Sequence, residues 1–250
     1  MSHFDFANLL FSGPCNACCP TCIGKQIDPR LNTNNLDEYP PRNLERFKQM
    51  MEKYAIRQLV FTGTNTDPQL YRDEERLLDD LRQRLPPETR FSLHTNGRLA
   101  VQKMAIFNQY DQVTLSFPSF NPDTYRRMMG VPGLPDLPVI MSKSRVPVKV
   151  SCLVSVANAP AIDDFLLHCQ EIGVRRVVLR KLYGERRTWE NMVNRFPLEF
   201  RYTGLYRKNP VYDYQGMEVT LWDFDRTDST SINLFSTGFI STSYLLARPA

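Results

Sequence analysis

The sequence predicts an α/β protein, a partial (β/α)6 barrel followed by a C-terminal extension of antiparallel character. Over residues 8–182, six short β-rich runs alternate with longer amphipathic stretches, which is typical of parallel strands joined by crossover helices. The chain has 250 residues, of which 42% are hydrophobic, and this suffices for one large core. An open doubly wound sheet is the less favoured alternative.

The predicted strands are rich in β-branched and aromatic residues and are bounded by turn residues. They cover residues 8–13, 57–63, 90–96, 112–117, 148–155 and 175–182. The most regular amphipathic stretches predict helices at 42–55, 73–85 and 159–173. The last of these ends at Gly173, a residue type that commonly terminates helices.

The pattern changes near residue 197, so we divide the chain into a barrel at 1–196 and an extension at 197–250. Strands are predicted at 217–225 and 232–247, with a Ser-Thr-Gly turn inside the second. Because a partial barrel is open, we expect the extension to cover the lumen from below or from the side. This arrangement would bring Tyr214, Asp223 or Asp225 toward a substrate.

Charge and hydropathy exclude some classes of protein. The chain has 31 basic and 27 acidic residues, and this net charge of +4 is too mild to indicate nucleic acid, so we do not expect a nucleic-acid partner. No apolar run approaches the roughly 20 residues of a membrane-spanning helix. The first residues lack the basic start and apolar core of a signal peptide. We therefore expect a cytoplasmic protein with no membrane partner.

Four of the six cysteines lie close together, at Cys15, Cys18, Cys19 and Cys22. In a reducing compartment, clustered cysteines indicate metal ligands or redox groups. A structural zinc site would require the adjacent Cys18 and Cys19 to bind one ion together, which is awkward for a tetrahedral centre. A thioredoxin-like dithiol explains only one Cys-x-x-Cys pair. Both interpretations stay open as alternatives.

Cys15, Cys19 and Cys22 give the spacing C-x3-C-x2-C directly after the first predicted strand. In this feature the chain resembles the radical S-adenosylmethionine (SAM) superfamily, whose signature is that spacing in the loop after the first barrel strand. The resemblance implies that the three thiolates hold a single [4Fe-4S] cluster, whose fourth iron is left for the amino and carboxylate groups of SAM. A register that uses Cys18 in place of Cys19 is the alternative.

Three further stretches support the resemblance, which then covers about residues 8–182. They are FTGTNTDP at 61–68, LHTNGRL at 93–99 and LSFPSFNPDTYRRMMG at 115–130. Two features depart from the family pattern. Thr21 stands where the family often has an aromatic residue, and the second-strand motif is Gly-Thr-Asn-Thr-Asp-Pro instead of Gly-Gly-Glu-Pro.

The resemblance implies that the end of the second strand binds the SAM amino group. The residues of this segment are Gly63, Thr64, Asn65, Thr66 and Asp67. A glycine permits close approach of a ligand, and the polar residues supply oxygen acceptors. We expect the double alanine variant of Asn65 and Thr66 to weaken SAM binding and to leave iron content and fold intact. The alternative is that Asp67 only caps a helix that begins at Pro68.

Strand alternation places polar side chains in the predicted lumen, near the carboxyl ends of the strands. By resemblance the lumen binds SAM and a substrate, and we expect Asn96, Ser116 and Ser155 around the methionyl and ribose groups of SAM. His94 and Arg180 are the candidate catalytic residues. Arg180 is expected to pair with a carboxylate or phosphate, or else with a barrel carboxylate. His94 either shuttles a proton or is a hydrogen-bonded structural residue.

Two other features receive structural interpretations. Residues 185–208 interleave arginines with aromatic residues, a pattern found in single-strand nucleic-acid binding, but we favour the surface of an amphipathic helix. Cys152 and Cys169 are interpreted as buried small hydrophobic residues. They do not form a second cluster motif.

The resemblance implies an enzyme that reductively cleaves SAM to a 5′-deoxyadenosyl radical, which abstracts hydrogen from a substrate. We expect a small metabolite of cofactor or natural-product biosynthesis, with a peptide or RNA as the alternative. An external electron donor of the flavodoxin or ferredoxin type is also expected. Without a second cluster motif, we favour rearrangement, elimination, epimerisation or C–C chemistry over substrate oxidation. An alternative of another class is a non-catalytic iron–sulfur or zinc protein for redox sensing or binding.

Overall fold

A computed structural model describes residues 4–193 and 199–244 of the chain. The division expected between residues 196 and 197 lies outside the described residues, as do positions 245–247 of the strand predicted at 232–247. No helix in these two ranges is long and apolar enough to cross a membrane.

One sheet organises the described part of the chain, and six of its strands follow the predicted alternation. These strands are β1 (Phe6–Phe11), β2 (Gln58–Gly63), β3 (Arg90–Thr95), β4 (Gln112–Ser116), β5 (Val148–Leu153) and β6 (Arg176–Arg180). Each pairs in parallel with the next, from β1 through β6. The sheet does not close on itself, which confirms the partial barrel.

The extension adds strands to both edges of this parallel sheet. They are β7 (Arg201–Tyr206), β8 (Asn209–Tyr214), β9 (Met217–Trp222), β10 (Ser231–Leu234) and β11 (Ile240–Ser241). β7, β8 and β9 form an antiparallel meander, and β11 is antiparallel to β10. However, β9 pairs in parallel with β6, and β10 pairs in parallel with β1. The extension is therefore antiparallel within itself but continues the barrel on either side.

Helices connect the strands on the outer face of the sheet. They are α1 (Leu44–Lys53), α2 (Glu74–Arg84), α3 (Met104–Phe107), α4 (Pro122–Met129), α5 (Leu137–Lys143), α6 (Ile162–Glu171) and α7 (Trp189–Met192). The three predicted helices are confirmed as α1, α2 and α6, and Gly173 follows α6 with a φ of 82°. The preference for a helical surface over 185–208 was wrong for its second half, because Arg201–Tyr206 is a strand.

The alternation expected for the strands is confirmed by burial. Outward residues such as Leu93, Val150 and Leu179 belong to one large core between sheet and helices. Cys152 and Cys169 lie in the same core, as expected for small hydrophobic residues. The inward face is largely polar, and its smaller apolar cluster centres on Leu10. Polar inward side chains are therefore available to a ligand at the carboxyl end of the sheet.

One of the three residues expected to approach a substrate lies elsewhere. Tyr214 pairs with Met217 at the start of β9, the end of the sheet opposite the carboxyl ends of the parallel strands. Asp225 is exposed. Asp223 does follow the carboxyl end of β9, but its carboxylate accepts a hydrogen bond from Lys181 Nζ at 2.9 Å. The expected approach of Tyr214 was wrong, because the β8–β9 hairpin turns at the far end of the strand.

Candidate functional site

The four clustered cysteines lie on the loop after β1, at the carboxyl end of the sheet. Cys15 and Cys18 are exposed, whereas Cys19 and Cys22 are half-buried, and all four are free thiols. The Cys19 Sγ lies 3.8 Å from Met129 Sδ, and the Cys22 Sγ lies 3.7 Å from the Thr64 carbonyl oxygen. The loop is thus packed between α4 and the end of β2.

Cys18 differs from the other three in how it is held. Its backbone N–H donates to the Met129 carbonyl at 2.9 Å, and a Cβ on Gly130 would lie 2.1 Å from the Cys18 carbonyl oxygen. Burial raises the pKa of Cys15 and raises that of Cys19 to about 11, and in both cases the nearby Cys22 thiol adds to the rise. Cys15, Cys19 and Cys22 therefore influence one another across a shared space.

The donor set suits a cluster better than a single ion. In residues 4–193 and 199–244, no three His, Cys, Asp or Glu side chains converge closely enough to hold one metal ion. A cubane iron–sulfur cluster does not require such convergence, because each thiolate binds a different iron. The arrangement therefore offers no support for the zinc alternative.

Two glycines permit close backbone packing at the end of β2. A Cβ on Gly24 would lie 2.2 Å from the Thr64 carbonyl oxygen, and a Cβ on Gly63 would lie 1.8 Å from the Thr66 carbonyl oxygen. Both contacts are with backbone, which cannot move aside as a flexible side chain can. Gly24 thus allows the cysteine loop to pack on the end of β2, and Gly63 allows the segment after β2 to turn back on itself.

Asn65 and Thr66 fasten the end of β2 to the start of the cysteine loop. Asn65 Oδ1 accepts hydrogen bonds from Ser12 Oγ at 2.8 Å and from the Gly13 N–H at 3.1 Å. The Thr66 hydroxyl donates to the Pro14 carbonyl at 2.6 Å. These contacts give both side chains a role in positioning the loop, which the sequence alone did not indicate.

Asp67 is a buried structural carboxylate. It accepts hydrogen bonds from the Gln69 N–H at 3.0 Å, from the Thr95 hydroxyl at 2.9 Å and from the Asn96 N–H at 2.6 Å. Burial is the largest influence on its pKa, which is raised, and these hydrogen bonds oppose the rise. The cap interpretation therefore describes this side chain, although it caps only the short 3-10 turn Pro68–Leu70 and also binds the end of β3.

Asn96 lies against the cysteine loop, as a residue near the cluster should. Its Nδ2 donates to Asn16 Oδ1 at 2.7 Å and lies 4.0 Å from Cys15 Sγ. Ser116 is half-buried at the end of β4 and pairs in register with Ser151. Ser155 follows β5 and accepts a hydrogen bond from the Ala157 N–H at 3.2 Å. Only Asn96 of these three predicted residues contacts the cysteine loop directly.

His94 and Arg180 lie on the inward face together with a third basic residue, Lys149. Burial lowers the pKa of His94 to about 3, and the charges of Lys149 and Arg180 lower it further in the same direction. Burial likewise lowers the pKa of Lys149 to about 8, with Arg176 and Arg180 contributing. A histidine with so low a pKa stays neutral near pH 7, which gives no support to the proton-shuttle interpretation of His94.

Arg180 has no carboxylate partner in the part of the chain that the structure describes. Its Nε is buried without a hydrogen bond, and its guanidinium lies 5.9 Å from the centre of the Phe224 ring. The neighbouring Lys181 is the residue that pairs with Asp223, at 2.9 Å. The salt bridge considered as an alternative for Arg180 is therefore not formed among the residues that the structure describes.

Tyr244 is a residue of the inward face that sequence reasoning missed. Its ring centre lies 6.3 Å from that of Phe235, in the small apolar cluster around Leu10. Burial raises the pKa of its phenol, the Cys22 thiol adds to this rise and Arg180 opposes it. The phenol of Tyr244 is thus influenced by both the cysteine loop and Arg180. No local signal identifies it, because its position depends on the pairing of β10 with β1.

Comparison with known proteins agrees with this geometry. Residues 9–136 match the Radical SAM superfamily, which is about half of the chain. Curated protein sequences give no significant match. Among solved structures, Streptococcus suis SuiB bound to the precursor peptide SuiA has a TM-score of 0.58 and 14% identity. Native anSMEcpe with bound AdoMet has a TM-score of 0.52 and 19% identity.

These structural matches show a shared fold and cover only part of the larger proteins. The alignment with SuiB covers 72% of this chain and 40% of the SuiB chain. The alignment with anSMEcpe covers 75% of this chain and 56% of that protein. The matched portion therefore spans about half the length of these neighbours.

Proposed function

The chain belongs to the radical SAM superfamily, and we propose that it is an enzyme that uses a [4Fe-4S] cluster and SAM to abstract hydrogen from a small metabolite of cofactor or natural-product biosynthesis. The observation that carries this proposal is the cysteine loop. Three thiols of the family spacing lie at the carboxyl end of a parallel sheet, beside the end of β2 and above a polar inward face. Active sites of barrel folds lie at this end.

Cys15, Cys19 and Cys22 would hold the cluster. Their mutual influence and the separate anchoring of Cys18 to Met129 support this register over the one that uses Cys18. When bound, the cluster and SAM supply a 5′-deoxyadenosyl radical that removes hydrogen from an unactivated carbon. The protein's own contribution is to bind, orient and shield the reactants.

The SAM site would lie between the end of β2 and Asn96. Because the carboxylate of Asp67 is occupied by three donors, the backbone carbonyls of the Gly63–Asp67 segment are the better acceptors for an ammonium group. Asp67 would act indirectly, by holding the Asn96 backbone in place. Ser116 and Ser155 would approach SAM from β4 and from the end of β5, as the resemblance implies.

Closure of the lumen would protect the reaction from water. Ser92, low on the inward face of β3, accepts a hydrogen bond from Gln112 Nε2 at 2.7 Å, which helps to fill the lower end. Tyr244 and Phe235 cover the side near β1. Excluding water from an active site prevents side reactions of reactive intermediates.

We favour redox-neutral chemistry on the substrate: rearrangement, elimination, epimerisation or C–C bond chemistry. The two remaining cysteines of this chain, Cys152 and Cys169, are buried in the hydrophobic core, where they are unsuited to hold a second cluster. A peptide substrate is the second candidate, favoured by the structure of SuiB with its precursor peptide. RNA modification is less favoured.

The cluster would be reduced by an external donor of the flavodoxin or ferredoxin type, in the cytoplasm. Cys15 and Cys18 are exposed, so the loop is open to a partner protein. Lys25 is also exposed, and its ammonium group donates to the Cys19 carbonyl at 2.8 Å. A basic group beside the cluster favours approach of an acidic donor.

The cysteine register provides the test of this proposal. After anaerobic reconstitution, the wild type should bind about four irons per chain and release 5′-deoxyadenosine from SAM when reduced. Replacement of Cys15, Cys19 or Cys22 by alanine should abolish both properties. Cys18→Ala is the matched control and should keep both.

Three results would contradict the proposal. A fully loaded wild-type cluster that never releases 5′-deoxyadenosine would favour a non-catalytic iron–sulfur protein. Loss of iron in Cys18→Ala with retention in Cys19→Ala would show that the ligand register is wrong. Stoichiometric zinc in protein purified without added metal would favour the zinc alternative.

A further inference from the structure

Three basic side chains on the inward face have no hydrogen-bond or ion-pair partner within residues 4–193 and 199–244: His94 on β3, Lys149 on β5 and Arg180 on β6. All three are half-buried. His94 and Lys149 lie on one row of the sheet, because each pairs in register with Thr114. The lumen therefore concentrates basic groups on the side formed by β3 to β6.

Nearby carboxylates are already engaged by other cations. Glu218 binds Arg176 at 3.0 Å, at the beginning of β6, and Asp223 binds Lys181 at 2.9 Å, just after its end. Neither carboxylate hydrogen-bonds Lys149 or Arg180, and the charge of Glu218 offsets the burial of Lys149 only in part. A cation taken out of water without a counter-ion is unfavourable, so an uncompensated pair of this kind calls for an anion from outside the chain.

Ser151 supplies an independent observation at the same place. It lies one row above Lys149 on β5, is 3% exposed, and its hydroxyl has no hydrogen-bond partner. Ser151 pairs in register with Val178 of β6, two residues before Arg180. Buried hydroxyl groups are normally satisfied, so this one also points to a ligand that accepts a hydrogen bond.

We propose that the lumen binds an anionic oxygen group of the substrate, a carboxylate or a phosphate, between Arg180 and Lys149, with Ser151 as an additional hydrogen-bond donor. The planar guanidinium of Arg180 can donate two parallel hydrogen bonds to such a group, and the Lys149 ammonium and the Ser151 hydroxyl can donate further hydrogen bonds to it. This inference rests on the proposed function, because it names the substrate class of the same site. It also assigns Arg180 to the substrate and not to SAM, because Arg180 lies on β6, four strands along the sheet from the end of β2 that borders the cysteine loop.

Anion binding is tested on the reconstituted protein in the absence of SAM. Thermal unfolding is followed while inorganic phosphate or acetate is titrated at constant ionic strength against chloride. Saturable stabilisation by at least one of the two anions is expected for the wild type, and the one that binds more tightly identifies the group. The dissociation constant should be weakened about tenfold or more in Arg180→Gln and, independently, in Lys149→Met.

Arg175→Gln is the matched control, because it removes an exposed arginine directly before the same strand. It should bind the anion as the wild type does. SAM binding, measured separately by equilibrium dialysis, should be unchanged in Arg180→Gln.

Three outcomes would overturn the inference: no saturable effect of either anion, equal binding in Arg180→Gln and the wild type, or a parallel loss of SAM binding in Arg180→Gln. The last would place the arginine on the SAM carboxylate. Failure of the proposed function looks different, because the wild type would then bind the anion and still release no 5′-deoxyadenosine.

Discussion

Replacing Asn65 by alanine should release the cysteine loop from the end of β2. The Asn65 side chain accepts two hydrogen bonds from that loop, from Ser12 Oγ at 2.8 Å and from the Gly13 N–H at 3.1 Å. Both donors lie directly before Cys15. The structure therefore revises the expectation from sequence, in which loss of Asn65 and Thr66 weakens SAM binding alone.

The size of the effect follows from the two hydrogen bonds. Each contributes about 1 kcal/mol net, and a buried group left without a partner costs about 1–3 kcal/mol. Ser12 is fully buried, so its hydroxyl is the group most affected. A total of about 2–4 kcal/mol corresponds to a reduction of about 30-fold to nearly 1,000-fold in the equilibrium between ordered and released loop.

The assay measures iron retained per chain during anaerobic incubation with a ferrous chelator, beside the midpoint of urea unfolding. Asn65→Ala should lose iron faster than the wild type. Asn65→Asp keeps an acceptor oxygen in the same place and should retain most of the iron. If Asn65→Ala keeps its iron and its urea midpoint and loses only SAM affinity, the side chain is a SAM ligand and the reasoning is refuted.

Three further predictions concern single positions. Asp67→Asn should lower the free energy of unfolding by about 3 kcal/mol in urea denaturation, because an amide cannot accept hydrogen bonds from all three buried donors. A loss of SAM affinity at unchanged stability would instead indicate that the carboxylate binds SAM. Gly24→Ala should abolish iron retention, since its Cβ would meet the Thr64 carbonyl. Gly133→Ala is strained by a φ of 78° but meets no neighbouring atom, so it should retain iron although it is less stable. Lys149→Met should stabilise the ligand-free protein by about 3 kcal/mol below pH 8. The pKa of Lys149 is about 8 in the folded chain, so the folded chain binds this proton more weakly than the unfolded chain does. The gain in stability should therefore shrink as the pH rises toward 10.5. A gain that stays constant from about pH 7 to 10.5 would contradict this prediction.

The parallel part of the fold was predictable because its signals are local. Alternation within each strand is visible in a few residues, and it correctly separated Leu93 from His94 and Val150 from Lys149. Strand pairing in the extension is not local. The pairing of β9 with β6 and of β10 with β1 is decided by which sheet edges are left open.

The prediction for the segment that forms β7 was wrong for a different reason. Arg201–Tyr206 reads RYTGLY, and its threonine, glycine and aromatic residues favour a strand. The interleaved arginines and aromatic residues of the longer segment drew the prediction toward a helix. The prediction gave more weight to the composition of the longer segment than to the strand propensity of these six residues, and the strand propensity predicted the structure correctly.

The candidate site was predictable to the same extent. The spacing of Cys15, Cys19 and Cys22 is a local signal, and so is the position of Asp67 before Pro68, which the cap interpretation explained. Alternation placed Arg180 on the inward face, but the sequence does not show whether a carboxylate meets it. Whether Arg180 has a carboxylate partner depends on the position of Asp223, which follows β9 and pairs with Lys181 and not with Arg180.

With the proposed anion site, the two sides of the lumen differ in charge, and this difference would orient a substrate. A cluster held by three thiolates makes the side near Cys15 electronegative, and Arg180 and Lys149 make the opposite side electropositive. A substrate whose anionic group binds at Arg180 keeps that group away from the thiolates, where repulsion would be strongest. Its uncharged end then faces the cysteine loop and SAM. The carbon that loses hydrogen should therefore lie at the end of the molecule remote from its anionic group.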